Sequence, residues 1–236
     1  MSAFDRPVNA HGEEIHRLFD PRSSSMHYRV PESQLVAYNT AKQVSQLQLL
    51  NPCTNNIEPD VRTVVIHIDG ACRDNGRPTA MASWGVYVGP GSRYNARGMV
   101  QADLPQTSSR AEIEALSHAL IIIRQIASHD PLLQHFKIMS DSEYLVKTMS
   151  MWIEGWIDNG GLGSRGQPVA HFKKLQEIHE TLDEMEYGGS RINVQFRHVP
   201  RENNQEADRL ANEALDAWSR VNSSNVVLHT GIVVLA

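Results

Sequence analysis

The feature that most limits how this chain folds is a change of hydrophobic period near residue 108. Upstream, apolar residues follow the two-residue period of strands. The run Val64-Val65-Ile66-His67-Ile68-Asp69 is short, β-branched and closed by Gly70, which predicts a strand with a turn after it. Residues 82–88 alternate and end at Gly89-Pro90-Gly91, and residues 94–101 supply a third strand. Three strands joined by short turns predict an antiparallel meander. Downstream, Ile113, Leu116, Leu120, Ile123 and Ala127 fall at helical spacing. Ser108 or Ser109 is placed to cap that helix, with Glu112 in its first turn. Residues 135–139 return to strand character, and Ser140-Asp141-Ser142 caps a helix reaching about Trp152. Five glycines in 155–167 predict a loop, and 169–186 reads as helix. Residues 191–199 alternate, with Ile192, Val194, Phe196 and His198 facing one way. Residues 202–219 form a last helix with Ala207, Leu210, Ala211, Ala214, Leu215 and Trp218 inward. The order βββ-α-β-α-α-β-α is that of an α/β fold, one mixed sheet flanked by helices.

Composition narrows the function classes. The 236 residues are 41% apolar and 21% charged, as in a globular protein. No apolar run is long enough to span a membrane. The first 25 residues lack the apolar core of a secretory signal. Two cysteines, Cys53 and Cys72, suit neither a disulfide framework nor a cysteine-rich zinc site. An intracellular, reducing compartment and no membrane partner are expected. A net charge of −5 argues against nucleic-acid binding by bulk charge, so a polyanion binder here needs a local site and metal ions. Residues 1–60 read as a largely irregular N-terminal extension, in which 33–50 forms either one amphipathic helix or a strand-like arm. Residues 61–220 read as the folded domain. The tail 221–236 either adds an edge strand or packs on a partner.

Four carboxylates stand at element ends: Asp69 after the first strand, Glu112 opening the first long helix, Asp141 after the fourth strand, and Asp208 near the start of the last helix. Such ends are where sites assemble on α/β sheets. Each alone has an ordinary reading as turn, cap or solvated helix residue. Together they are like charges that repel unless cations lie between them. Mg²⁺ and Mn²⁺ favour oxygen ligands, and two such ions clamp a phosphodiester for in-line attack.

The segments IDGACRDNG (68–76), TSSRAEIEAL (107–116), SDSEYL (140–145) and NQEADRLANEAL (204–215) occur in this order, with the acids 43, 29 and 67 residues apart. Over about residues 61–219 this resembles the type 1 ribonuclease H family. The resemblance implies a ribonuclease H-like five-stranded mixed sheet of order 3-2-1-4-5. It also implies hydrolysis of the RNA strand of RNA–DNA hybrids with two Mg²⁺ ions, Mn²⁺ being a substitute, leaving 5′-phosphate and 3′-hydroxyl ends. Asp69, Glu112, Asp141 and Asp208 match its metal-holding acids. Gly70, Cys72 and Asn75 match the turn that touches ribose 2′-hydroxyls, the group that marks RNA at a site. Ser108 and Ser109 stand where the family often has Asn and Gln for the same task, and Glu143 lies on the RNA track. Tyr144 and Trp152 match aromatic positions that pack on deoxyribose, and Thr107 matches a residue that holds a DNA phosphate.

The pattern is departed from in two places. Many members carry a catalytic His in a Gly-rich loop before the last acid. Here the connection is the short His198-Val199-Pro200-Arg201-Glu202-Asn203-Asn204, as in shorter-looped members where Arg201, Glu202 or Asn203 borders the site. His198 falls on the strand before it, in phase with Val194 and Phe196, which predicts a half-buried structural ring. The basic helical handle is also thin: Ile157-Asp158-Asn159-Gly160 replaces lysines, and residues 61–220 carry a net charge of −3. A scaffold or binding module of low activity is the alternative expectation, against which the four acids argue.

Overall fold

The computed structural model describes residues 17–229, and the side chains of 17–221. The rest of the expected extension and tail, residues 1–16 and 230–236, lies outside the described residues. Three short strands come first: β1 (Val36–Asn39), β2 (Val44–Leu50) and β3 (Ile57–Pro59). The meander is β4 (Thr63–Arg73), β5 (Met81–Tyr87) and β6 (Ala96–Met99). Then follow α1 (Ser108–His129), β7 (His135–Ser140), α2 (Glu143–Lys147), a π-helical turn Thr148–Trp152, α3 (Ile153–Asp158), α4 (Phe172–Tyr187), β8 (Asn193–His198) and α5 (Gln205–His229).

The central sheet runs β6-β5-β4-β7-β8, which is the order 3-2-1-4-5 that the resemblance implies. β4 pairs antiparallel with β5 and parallel with β7, so the sheet is mixed. One face carries Val64, Ile66, Ile68, Trp84, Phe136 and Ile138, sealed by Ile113, Leu116, Ile123 and Leu175 of α1 and α4. The opposite face takes α5. Gly85 permits that contact, because a Cβ there would lie 2.4 Å from the Ala207 carbonyl oxygen. Among the described residues no helix is long and apolar enough to cross a membrane.

Several elements differ from the sequence reading. β4 does not turn at Gly70 but continues to Arg73. Gly70 is needed for closeness instead: a Cβ would lie 2.3 Å from the Glu112 backbone nitrogen and 2.4 Å from the Ala111 carbonyl carbon. Thr107, rather than Ser108 or Ser109, caps α1 by accepting from Arg110 N at 3.2 Å. Gly155 lies inside α3 rather than in the loop. α5 runs on through 221–229, where a tail was expected, and Trp218 is exposed rather than inward.

The extension is more structured than its composition suggests. Residues 17–19 dock on β8, where Phe19 N donates to Phe196 O and Phe196 N to Arg17 O, both at 2.8 Å. Of the two expectations for 33–50 the strand-like one holds: the segment contains β1 and β2 as an antiparallel pair, and β2 meets β4 at Ser45 and Val65. Phe19, Val30, Leu35 and Leu47 pack on Val65, Met139 and Val199 as a second core on the α5 side of the sheet. Their spacing along the chain is irregular because each answers a different sheet residue, so no period marks them.

Candidate active site

β4 and β7 are parallel neighbours with His67 opposite Met139, so both strands deliver an acid to the same end of the sheet. Asp69 lies on β4 and Asp141 directly follows β7. The close approach of α1 at Gly70 brings Glu112 beside them, and the approach of α5 at Gly85, which pairs with Asp69, brings Asp208. All four line one cleft of about 640 Å³, with Gly70, Ser108, Ser142, Glu143, Tyr144, Arg201 and Asn204 also on its wall.

Each carboxylate has a defined holder. Gly70 N donates to Asp69 Oδ1 at 2.7 Å. Ser142 Oγ donates to Glu112 Oε2 at 2.5 Å. Asn204 Nδ2 donates to Asp141 Oδ1 at 2.9 Å, and Arg201 Nε lies 3.3 Å from Asp141 Oδ2. Asn212 Nδ2 donates to Asp208 Oδ1 at 2.9 Å. Burial, followed by the charge of Asp141, pushes Asp69 up to about 7. Burial also raises Glu112, against the Ser142 bond. Asp69 and Glu112 therefore hold their protons more tightly than free carboxyls, and a cation in the cleft would compete with those protons.

The donor set is all oxygen, which suits Mg²⁺ or Mn²⁺ rather than a softer metal. Among the described residues no three acidic, His or Cys side chains already converge as a closed cage. An open cleft fits Mg²⁺, which keeps several waters and takes one or two carboxylates plus substrate oxygens.

The other expected residues fall in three groups. Cys72 is half-buried on β4, its Sγ 3.5 Å from Gln106 O, and burial raises its thiol pKa. Asn75 is exposed in the following turn, 3.8 Å from that sulfur. Thr107, Ser108 and Ser109 open α1; Ser108 lines the cleft, whereas Ser109 is exposed and does not. Glu143 is exposed and paired with Lys147 at 2.6 Å, which lowers its pKa. Tyr144 and Trp152 are 40% and 37% exposed with ring centroids 6.1 Å apart, so they form a surface shelf rather than core.

Sequence reasoning missed four contributors. Trp156 completes the shelf, 5.8 Å from Trp152 and 6.3 Å from Tyr144. Ser142 and Asn204 hold acids, and both are marked in sequence only as polar residues just ahead of a helix. His67 stands 3.3 Å from Asn204 Oδ1, and burial pushes its pKa down to about 4, so it is neutral at pH 7. The half-buried structural reading of His198 is overturned. The side chain is exposed at the end of β8, and its Nε2 donates to Asp141 O at 3.2 Å. The strand phase holds through Phe196, but the sheet ends before a helix covers residue 198.

Comparison with known proteins agrees with this fold. Ribonuclease H1 of Rattus norvegicus is 36% identical over 157 residues, 64% of this chain and 50% of the relative. Ribonuclease H of Paracidovorax citrulli is 31% identical over 157 residues, 65% of this chain and 94% of the relative. The chain thus spans about half the length of the mammalian relative. The foamy viral protease-reverse transcriptase, solved in complex with an RNA/DNA hybrid, superposes with TM-score 0.50 at 15% identity, covering 79% of this chain and 23% of that one, a likeness of fold alone. The family model for RNase H matches residues 61–216, which contain all four acids, and the chain belongs to the RNase H family.

Proposed function

We propose that residues 61–220 are a metal-dependent endonuclease that hydrolyses the RNA strand of RNA–DNA hybrids, leaving 5′-phosphate and 3′-hydroxyl ends, with 1–60 and 221–236 as flanking segments. The observation that carries this reading is the delivery of four carboxylates from four elements into one cleft. A scaffold has no use for such a cluster, because it costs the fold charge repulsion. The ribonuclease H names of the relatives support the substrate class.

Asp69, Glu112, Asp141 and Asp208 would hold two Mg²⁺ ions, with Mn²⁺ able to replace them. When bound, the ions neutralise the cleft and stabilise charge on the phosphodiester. Around them, Ser142 and Asn204 fix the Glu112 and Asp141 carboxylates. Asn75, with Gly70 and Cys72, reads the ribose, together with Ser108, Ser109 and Glu143 on the same track. Tyr144 and Trp152 present ring faces to the deoxyribose of the other strand, and Thr107 lies where it can take a DNA phosphate.

The test incubates the purified chain with labelled hybrid, duplex RNA and duplex DNA, each with Mg²⁺, Mn²⁺ or EDTA. Cleavage of the RNA strand of the hybrid alone, lost in EDTA, is expected. Asp69→Asn or Asp141→Asn should abolish it while the fold persists, and 2′-O-methyl groups near the cut should block it. Wild-type rates in either variant would sink the assignment. Hybrid binding without cleavage would favour the scaffold reading, which the thin positive charge suits.

A further inference from the structure

Asn204 is 2% exposed and lies where three acid-bearing elements meet. Its Nδ2 donates to Ile68 O at 3.0 Å, one residue before Asp69, and to Asp141 Oδ1 at 2.9 Å. Its backbone oxygen accepts from Asp208 N at 3.2 Å. The Asn204 side chain therefore ties Asp141 to the strand that carries Asp69, and its backbone oxygen holds the turn that leads to Asp208. An amide has two ends of nearly equal shape, only one of which donates. Turned over, Asn204 would aim its oxygen at a buried carbonyl and at a carboxylate, leaving acceptors facing one another. The remaining contact is at the other end of the amide: His67 Nδ1 is 3.3 Å from Asn204 Oδ1. With Nδ2 committed to two acceptors, Oδ1 accepts, so the His67 proton is on Nδ1. The ring is itself held edge-on by Tyr87, its β5 partner, at 6.4 Å between centroids.

We propose that His67 is a positioning residue: by donating from Nδ1 to Asn204 Oδ1 it locks the amide so that its N–H groups, not its oxygen, hold Asp141 against β4. The proposal deepens the functional reading above and rests on it for the consequence in cleavage. An apolar ring at 67 would leave the buried Asn204 Oδ1 without its donor and remove the one bond at that end which holds the amide in this orientation. Contacts made directly to metal-holding groups are commonly worth about 10–100-fold in metal affinity or activity; His67 acts one contact further out, through Asn204, which places its effect at the lower end of that range.

The test uses the full chain as His67→Phe, which keeps the volume and removes the donor, and as His67→Asn, whose amide nitrogen sits close to the place of Nδ1. The readouts are Mg²⁺ binding by titration calorimetry without substrate, kcat and KM on labelled hybrid, and thermal melting. In His67→Phe, Mg²⁺ affinity and kcat should each fall by about tenfold, with KM within about twofold, since no hybrid-facing surface changes. His67→Asn should recover most of both losses. A folded His67→Phe with wild-type Mg²⁺ affinity and kcat overturns the proposal, and so does a folded His67→Asn as impaired as His67→Phe. A measurement on the unaltered chain guards against variants that do not fold. Long-range ¹⁵N–¹H correlation spectra of the His67 ring should show the Nδ1–H tautomer, and the Nε2–H tautomer overturns the assignment. Failure of the functional reading is a different result, namely no hybrid cleavage by the wild-type chain while the tautomer and Mg²⁺ affinity behave as stated.

Discussion

Asp69 is the residue at which site and stability conflict most directly. Its carboxyl is raised to about 7 in the fold by burial and then by Asp141, against about 3.8 in the open chain. The folded state then holds the proton more tightly than the unfolded one. Its contribution to stability is complete below pH 4 and is lost as pH rises toward 7. In EDTA, the wild type should lose about 4 kcal/mol relative to Asp69→Asn between pH 4 and pH 8, given about 1.4 kcal/mol per unit of pKa. Urea melts at both pH values measure it, and equal pH slopes for the two proteins would refute it. His198 is a second case. A half-buried ring would make His198→Ala costly, but the exposed ring on Asp141 O predicts a loss within about 0.5 kcal/mol. A melting shift of several degrees would restore the structural reading. The four acids were legible because their residue types and spacing are their signature. His67 and Asn204 were not, because 137 residues separate them and no local pattern ties a strand histidine to a pre-helix asparagine.

Among elements, the most consequential difference from expectation is the extension. Leu47 of β2 is fully buried against the sheet. Leu47→Ala should therefore cost about 2–5 kcal/mol, as in a proper core, and equilibrium unfolding measures it. A cost below about 0.5 kcal/mol would return the segment to an irregular appendage. The same covering explains a buried cation. Lys137 of β7 is 6% exposed, bonded to Gln195, with Nζ 5.0 Å from the centre of the Phe19 ring. Burial lowers its pKa from 10.5 to about 8. The folded state releases this proton first, so stability should rise from pH 8 to 10.5. Lys137→Met should be more stable than wild type at pH 7 by about 1–3 kcal/mol and lose that advantage by pH 10.5. A pH-independent difference in melting would contradict the assignment. Helices and central strands were readable from their periods. The short strands of the extension were readable only as one of two alternatives, a helix or a strand-like arm, because their polar residues carry no clear period and their burial depends on the central sheet.

At the scale of the molecule, charge and surface decide how a hybrid would be held. The chain carries −5 overall, and cations beside the cleft are few: Arg201 on Asp141 and Lys147 on Glu143 are already paired. With about three or four phosphate contacts, hybrid affinity of a cleavage-dead Asp141→Asn should fall about 10²-fold between 50 and 200 mM salt. Fluorescence anisotropy at four salt concentrations gives the slope, and a flat one would mean that the aromatic shelf, not charge, carries binding. The sequence alone determined the order of elements, the sheet order through resemblance, and the identity of the four acids. Periodicity and the spacing of the acids are properties of residue type and separation, and both survive without coordinates. Only the tertiary structure decided that Gly70 marks a close approach rather than a turn, and that His198 lies outside the core. It also decided that the extension seals one face of the sheet, and that His67 reaches Asp141 through Asn204. Each of these depends on which backbone comes within van der Waals or hydrogen-bond range of which other. Packing sets that distance, and residues far apart in the chain have no shared period through which to announce it.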